Sequence, residues 1–182
     1  HDEFRGVVGA FEKTIQGIKN CVAEGLFTEV ACVGTHFNYR EIPAIVDLCD
    51  ELGVDWFMLY NFIPTGRGRD IVAADLTPDE REQLLRTLWL KRKTTKKVEI
   101  LSTAPQYARV AKEVEAELAE AFGGSNGTSQ IECEGLVIPT HFYNPKLQGD
   151  LTKLADFIGG CGAGRFYVSI EPNGDIYPCV FF

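Results

Sequence analysis

The sequence predicts an α/β fold in which amphipathic helices alternate with strands. Two observations support this prediction: apolar stripes at helical spacing alternate with short runs of strand-forming residues between residues 10 and 93, and the loops that join them are short. Such alternation is typical of parallel βα units with right-handed crossovers. The 182 residues suffice for one domain with a sizeable core, or for one domain and an appendage.

The first predicted helix runs from about residue 10 to residue 24, and Gly25 can end it in a left-handed conformation. Its apolar stripe, which we expect to pack on a sheet, consists of Phe11, Ile15, Ile18 and Val22. A strand is predicted from Thr28 to Phe37. Because its centre has little polar interruption, we expect it to be covered on both faces.

The second helix is predicted to start at Asn38, whose side chain would cap it while Glu41 reaches back in a capping box. Its buried stripe comprises Ile42, Ile45, Val46, Cys49 and Leu52. Gly53 ends this helix, and a long aromatic strand follows from Val54 to Ile63.

The third helix has the clearest start, because Thr77 can cap it, Pro78 occupies its first position and Glu80 completes the box. Its apolar face comprises Leu84, Leu85 and Leu88, and it fades by about Lys93. A short strand at residues 98–101 and a helix at residues 105–122 are predicted next.

Residues 160–179 predict a β-hairpin with a cysteine at each end. Val168 and Ile170 alternate before Asn173-Gly174, a pair that tolerates the backbone angles of tight turns. Such a hairpin would bring Cys161 and Cys179 together. The two thiols could then bind one metal ion together, or both could be small buried hydrophobic residues.

The charge and cysteine content of the sequence exclude some classes of function. The formal charge of −8 argues against a nucleic-acid partner, and no apolar run reaches the length that a membrane span needs. Six cysteines without a secreted framework's spacing favour the cytoplasm. The chain begins at His1 rather than at a methionine, so we expect it to be a fragment.

The loop from Pro64 to Gly68 follows a strand, where βα folds place their active sites. Its glycines permit close backbone approach, and the Arg67 guanidinium suits a carboxylate. A plain turn with a solvated arginine is the equally open alternative. Of the remaining side chains, we expect His36 and His141 to be structural or solvated and Cys133 to be an inert thiol or a further metal ligand.

Two motifs carry a resemblance to a known family. The pattern Cys161-x12-Gly174-x4-Cys179, with Ile-x-Pro-x-Gly-x-Ile-x-Pro-Cys inside it, resembles the opening of a SPASM domain, the auxiliary iron-sulfur module of many radical S-adenosylmethionine enzymes. The segment His1-Asp2-x-Phe4-Arg5-Gly6 and the Pro-Thr-Gly-Arg-Gly loop are similar to the second half of their barrel. The likeness is to the branch of the pyrroloquinoline quinone synthesis protein and the radical enzymes of alternative haem biosynthesis.

The resemblance implies the second half of a partial (β/α)6 TIM-like barrel, followed by the beginning of a SPASM-type β-hairpin module. The barrel part would occupy residues 1–122, a linker with a short helix residues 123–159, and the truncated module residues 160–182. By the same analogy, Cys161 and Cys179 would bind metal. The residues that would contact the S-adenosylmethionine cofactor are Arg5, Asn61, Phe62, Ile63, Pro64 and Arg67.

The implied parent enzyme would use a 4Fe-4S cluster and S-adenosylmethionine to generate a 5′-deoxyadenosyl radical for cofactor, porphyrinoid or peptide modification. It would need a small-molecule or peptide substrate and an electron donor. The family's Cys-x3-Cys-x2-Cys cluster loop is absent from this sequence, so we expect the chain alone to be inactive. We also expect it to self-associate through exposed edges. The alternative is a small α/β binding module with a zinc or redox cysteine hairpin.

Overall fold

A computed structural model of the chain describes residues 1–104, 106–121, 164, 168–179 and 181. The elements in chain order are α1 (Asp2–Arg5), α2 (Ala10–Ala23), β1 (Glu29–Gly34), α3 (Ile42–Leu52), β2 (Trp56–Asn61), a 3-10 segment (Gly66–Ala74), α4 (Pro78–Lys91), β3 (Glu99–Ser102), α5 (Gln106–Ala121), β4 (Ser169–Ile170) and β5 (Ile176–Tyr177). None of the helices in the described part of the chain is long and apolar enough to cross a lipid bilayer.

The first three strands form a parallel sheet in the order β1-β2-β3. The register pairs Gly34 with Asn61, and Leu59 with Ser102, so the carboxyl ends of all three strands lie along one edge. The barrel to which these strands were assigned stays a prediction, because the described strands form an open sheet.

The main core lies on the face of the sheet that packs against helices α3, α4 and α5. Phe57 and Ile100 of the sheet are fully buried there, as are Val46 of α3, Leu88 of α4 and Val110 of α5. Burial of so many large aliphatic side chains is the main force holding the helices on the sheet. A smaller cluster on the opposite face contains Trp56, Met58 and Leu101.

Several local predictions match the structure. Thr77 and Glu80 form the predicted capping box at the start of α4, and Gly53 ends α3 in a left-handed conformation with φ of 79°. The hairpin pairs Ser169 with Tyr177 and Ile170 with Ile176 in antiparallel register.

The hairpin turn differs in detail from a two-residue Asn-Gly turn. The Gly174 N–H donates to the Glu171 carbonyl at 2.9 Å, which makes Pro172 and Asn173 the central turn residues. Gly174 itself has φ of +92°, the left-handed position that follows the turn. Proline fits the first central position because its fixed φ matches that of a type I turn.

Two predictions about the first strand and its neighbours are wrong. Strand β1 is not covered on both faces, because Glu29, Ala31 and Val33 are exposed on the face opposite the helices. No residue of α2 is fully buried, and Phe11 of its apolar stripe is 45% exposed, while Ile18 packs against the core. Helix α2 contacts α1 and α3, and Ile18 is the member of its stripe that packs against the core, so most of the stripe keeps solvent contact.

The capping box predicted at Asn38 and Glu41 is also wrong. Helix α3 begins at Ile42 without a side-chain cap, and the Asn38 side chain bonds to the turn before it. An asparagine side chain can satisfy turn backbone groups as well as helical ones, and here the turn provides the nearer partners.

Candidate functional site

The candidate site lies at the carboxyl edge of the parallel sheet. Because all three strands point the same way, the segments that leave β1, β2 and β3 start at this edge. In parallel α/β sheets the carboxyl ends of the strands are where ligands bind. The segment after β2 is the longest of the three, and it contains four of the sequence-predicted cofactor residues, while a fifth, Asn61, ends β2 itself.

The turn after β1 is held by a network of hydrogen bonds. Asn38 Oδ1 accepts the backbone N–H of Thr35 at 2.9 Å and its hydroxyl at 3.2 Å, while Asn38 Nδ2 donates to the Val33 carbonyl at 2.9 Å. The His36 N–H donates to the Ala74 carbonyl at 2.8 Å, which ties this turn to the 3-10 segment that follows β2. Thr35 is only 5% exposed. The backbone on both sides of His36 is therefore fixed in place.

His36 forms a pair with Glu80 that the sequence analysis missed. Its Nδ1 lies 3.1 Å from Glu80 Oε1, and its ring stacks on Tyr39 with the ring centroids 6.0 Å apart. The Thr77 backbone N–H, followed by the Thr77 and Tyr39 hydroxyls and the His36 ring, lowers the pKa of Glu80 to about 2. The carboxylate is therefore ionised at neutral pH. The available sequence signal was that His36 follows a strand end while Glu80 opens a helix at the same edge.

The loop after β2 turns sharply and packs on itself. The Thr65 N–H donates to the Ile63 carbonyl and the Gly68 N–H donates to the Thr65 carbonyl, both at 2.8 Å. A Cβ at Gly68 would lie 3.5 Å from the ring of Phe62, so the ring packs directly on this glycine. Gly66 has φ of +52°, a conformation that L side chains rarely adopt. The glycines therefore shape this loop as well as permitting close approach.

The sequence-predicted cofactor residues fall in two places. The loop and strand end of β2 bring together half-buried Asn61 and Phe62 with exposed Ile63, Pro64 and Arg67. Arg5 is exposed at the end of α1, a separate element that packs against α2.

Asp2, in the short helix α1, stabilises the start of α2. Asp2 accepts the backbone N–H groups of Gly9 and Phe11, both at 2.6 Å. A carboxylate on the free N–H groups of a helix start stabilises that helix. Asp2 thus caps α2 from the preceding short helix.

The hairpin thiols are only partly within the described part of the chain. Cys179 is a free thiol and 8% exposed, whereas the predicted partner Cys161 and the candidate Cys133 lie outside the described residues. A Cβ at Gly164 would lie 3.2 Å from Pro178 Cβ, so the chain three residues after Cys161 passes beside the residue that precedes Cys179. Among the residues that the structure describes, no three His, Cys, Asp or Glu side chains are grouped so as to hold a metal ion.

A groove of about 360 Å³ lies at the opposite, amino-terminal edge of the sheet. Two of its cations have carboxylate partners: Lys93 lies 3.0 Å from Glu115, and the Arg92 guanidinium stacks on Trp89 with Glu99 3.9 Å away. The groove is therefore separate from the strand ends that carry the predicted site.

Comparison with known proteins gives similarity over nearly the whole chain. The AdoMet-dependent heme synthase of Oleidesulfovibrio alaskensis is 29% identical over 180 residues, which are 98% of this chain and 40% of that protein. The AdoMet-dependent heme synthase of Nitratidesulfovibrio vulgaris is 30% identical over 180 residues, again 98% of this chain and 42% of that protein. The Fe-coproporphyrin III synthase of Methanosarcina barkeri is 36% identical over 83 residues, 46% of this chain and 21% of that protein.

The chain spans about two fifths of the length of the curated heme synthases that it matches. No family model matches it, and no solved structure does.

Proposed function

The chain belongs to the radical S-adenosylmethionine enzymes that carry a SPASM domain, and on that premise we propose that its protein modifies an iron-containing tetrapyrrole by radical chemistry. The observation that carries this proposal is the similarity to AdoMet-dependent heme synthases over 98% of the chain. The shorter match to an Fe-coproporphyrin III synthase supports the same class of substrate.

In this family S-adenosylmethionine supplies the one-electron chemistry that removes hydrogen from the substrate. The cluster that starts this chemistry needs a Cys-x3-Cys-x2-Cys loop, and the six cysteines of this chain, at positions 21, 32, 49, 133, 161 and 179, contain no such triplet. The donor set of this chain therefore does not fit that cluster. We assign no step of cofactor cleavage to these residues, and we propose that the chain alone does not perform it.

We propose that the strand end of β2 lines one side of the cofactor site. Phe62 and Asn61 are half-buried at the carboxyl edge, where they offer an aromatic ring and an amide to a nucleoside. Exposed Ile63 and Pro64 extend this surface. The exposed Arg67 guanidinium can bind a carboxylate in a bidentate manner, and Arg5 is proposed as a second such group.

We propose that Cys161 and Cys179 are ligands of an auxiliary iron-sulfur cluster. The support is the hairpin, which ends at the buried Cys179, and the close approach of Gly164 to Pro178 beside it. Four thiolates ordinarily hold such a cluster, so these two would need further ligands. The rival interpretation is a zinc or redox hairpin in a small binding module.

Reconstitution with iron and sulfide under anaerobic conditions distinguishes these two interpretations. We expect a brown cluster absorbance that is lost in Cys161→Ala and in Cys179→Ala, and retained in the control Cys21→Ala, whose thiol lies on α2. Binding of zinc alone, with no cluster absorbance, would support the rival.

We also propose that the open sheet is part of a partial (β/α)6 barrel, that the chain self-associates, and that the protein works in the cytoplasm. Two features of β1 support self-association. One of its faces, with Ala31 and Val33, is exposed, and within the described sheet one of its edges is unpaired. A concentration-independent monomer in sedimentation would contradict it.

Titration with coproporphyrin III, metal-free and as its iron(III) complex, tests the proposed tetrapyrrole function. We expect saturable quenching of the fluorescence of Trp56 and Trp89 by both porphyrins, whose flat apolar faces suit exposed side chains such as Phe37 and Ile63 that follow the strand ends. Titration with a linear peptide of similar charge is the control. Quenching by the peptide and by neither porphyrin would overturn the proposal and favour peptide modification.

A further inference from the structure

His36 stands at the carboxyl edge of the sheet with one ring nitrogen engaged and the ring held in place. Its Nδ1 lies 3.1 Å from Glu80 Oε1, its ring stacks on Tyr39, and its backbone N–H is bonded to the Ala74 carbonyl at 2.8 Å. The side chain is nevertheless 57% exposed. Because an ionised carboxylate only accepts hydrogen bonds, the Nδ1 carries the proton and Nε2 keeps its lone pair when the ring is neutral.

Glu80 is itself fixed, so it can orient the histidine. Its Oε2 accepts the Thr77 N–H and the Thr77 hydroxyl, both at 3.0 Å, while Oε1 faces His36. It also stands in the first turn of α4, so its position follows that of the helix. A carboxylate that accepts the N–H of one ring nitrogen fixes the orientation of the ring and leaves the other nitrogen for a ligand, the arrangement found behind most metal-binding histidines.

Exposed apolar side chains occur along the same edge of the sheet. Phe37, next to His36 in the chain, is 66% exposed, while Val33, one residue before the end of β1, and Ile63, two residues after β2, are 45% and 46% exposed. Exposed large apolar side chains at a sheet edge can contribute to a ligand surface. They suit the flat face of a porphyrin, whose central iron would need an axial ligand from the protein.

We propose that His36 Nε2 is an axial ligand to the iron of a metalloporphyrin bound at this edge, and that Glu80 is the positioning residue of that ligand. The proposal deepens the proposed function and rests on it for the class of substrate. Its own support is the histidine–carboxylate pair, the exposure of the His36 side chain and the exposed apolar residues along the same edge.

The test is a titration of the protein with iron(III) coproporphyrin III and with metal-free coproporphyrin III. We expect the iron complex to show the Soret shift of histidine ligation. The shift should disappear in His36→Ala and return when imidazole is added, while the metal-free porphyrin binds this variant as it binds the unmodified protein. His1→Ala is the matched control, because His1 Nδ1 also lies 3.3 Å from a carboxylate oxygen, that of Asp2, and this variant should retain the shift.

A second variant pair separates positioning from folding. Glu80→Ala should weaken binding of the iron porphyrin about 10- to 100-fold, the usual cost of losing the partner of a ligating histidine, and should leave metal-free binding unchanged. Thr77→Ala also breaks the capping box but keeps the carboxylate and the Thr77 N–H that holds it, so it should weaken binding of the iron porphyrin much less than Glu80→Ala does and leave metal-free binding unchanged.

The outcomes distinguish the two proposals. An unchanged Soret shift in His36→Ala would overturn the ligation proposal and leave the tetrapyrrole function standing, because porphyrin would still bind. Failure of both porphyrins to bind the unmodified protein would overturn the proposed function, and the ligation proposal with it.

Discussion

Asp50→Ala should destabilise the protein more than a substitution at a half-buried surface position usually does. The carboxylate of Asp50, near the end of α3, accepts the backbone N–H groups of Lys96, Lys97 and Val98 at 2.7 to 3.1 Å. It thereby fixes the loop that leads into β3, 46 to 48 residues further along the chain. The Val98 N–H, followed by those of Lys97 and Lys96, lowers the pKa of Asp50.

The magnitude follows from the kind of bond. A hydrogen bond to a charged group contributes about 1.5–3 kcal/mol. The N–H groups of two exposed lysines can return to water, so their loss counts for less. We therefore expect the free energy of unfolding to fall by about 2 kcal/mol in Asp50→Ala and by about half as much in Asp50→Asn, which keeps a neutral acceptor.

The assay is urea denaturation at several pH values, with Asp47→Ala as the control. Asp47 lies on the same helix and forms an exposed ion pair with Lys91 at 2.7 Å, which should contribute less than about 1 kcal/mol. Because the folded pKa of Asp50 is lowered, its stabilisation is present above the unfolded value near 3.8 and is lost as pH falls through the folded value. Equal effects of the two variants at pH 7, or an Asp50 effect that persists below the folded pKa, would refute this reasoning.

Three further predictions concern the core, the helix end and the thiols. Leu88→Ala, at a side chain with no exposed surface, should lower the free energy of unfolding by about 3 kcal/mol in urea denaturation; a loss below about 1 kcal/mol would mean that α4 does not pack on the sheet as described. Gly53→Ala should lower the free energy of unfolding by about 1 kcal/mol, because φ is +79° there. Gly17→Ala lies in the middle of α2 with open space around the added Cβ, so it should raise that free energy by about 0.5 kcal/mol. Changes of the same sign for both variants in thermal unfolding would contradict the argument. Burial raises the pKa of Cys32 to about 11 and that of Cys49 to about 12. At pH 8 iodoacetamide should therefore label both thiols slowly until urea is added. Rapid labelling of the native protein, detected by mass spectrometry, would contradict this.

Contacts between near neighbours in the chain were predictable, because each depends on the chemistry of a few adjacent residues. The Thr77–Glu80 capping box, the left-handed end of α3 at Gly53 and the hairpin around Gly174 are of this kind. Asn38 shows the limit of such reasoning, because its side chain had two sets of near partners and bonded to the turn instead of the helix.

The candidate site was predictable in location but not in composition. A parallel sheet places its loops at the carboxyl edge, so the segment around Phe62 was expected there. The pairing of His36 with Glu80 was not, because it joins residues 44 positions apart that meet only when α4 packs beside the end of β1. Whether the two hairpin thiols meet remains a prediction, because Cys161 lies outside the described residues.

The sequence by itself determined the order of helices and strands, the ends set by glycine and threonine, and the family to which the chain belongs. These are properties of adjacent residues or of matched motifs. Only the tertiary structure decided which face of β1 is exposed and which carboxylate orients His36. Those outcomes depend on how distant elements pack against one another, and packing is settled by the whole set of buried side chains rather than by any short stretch of them.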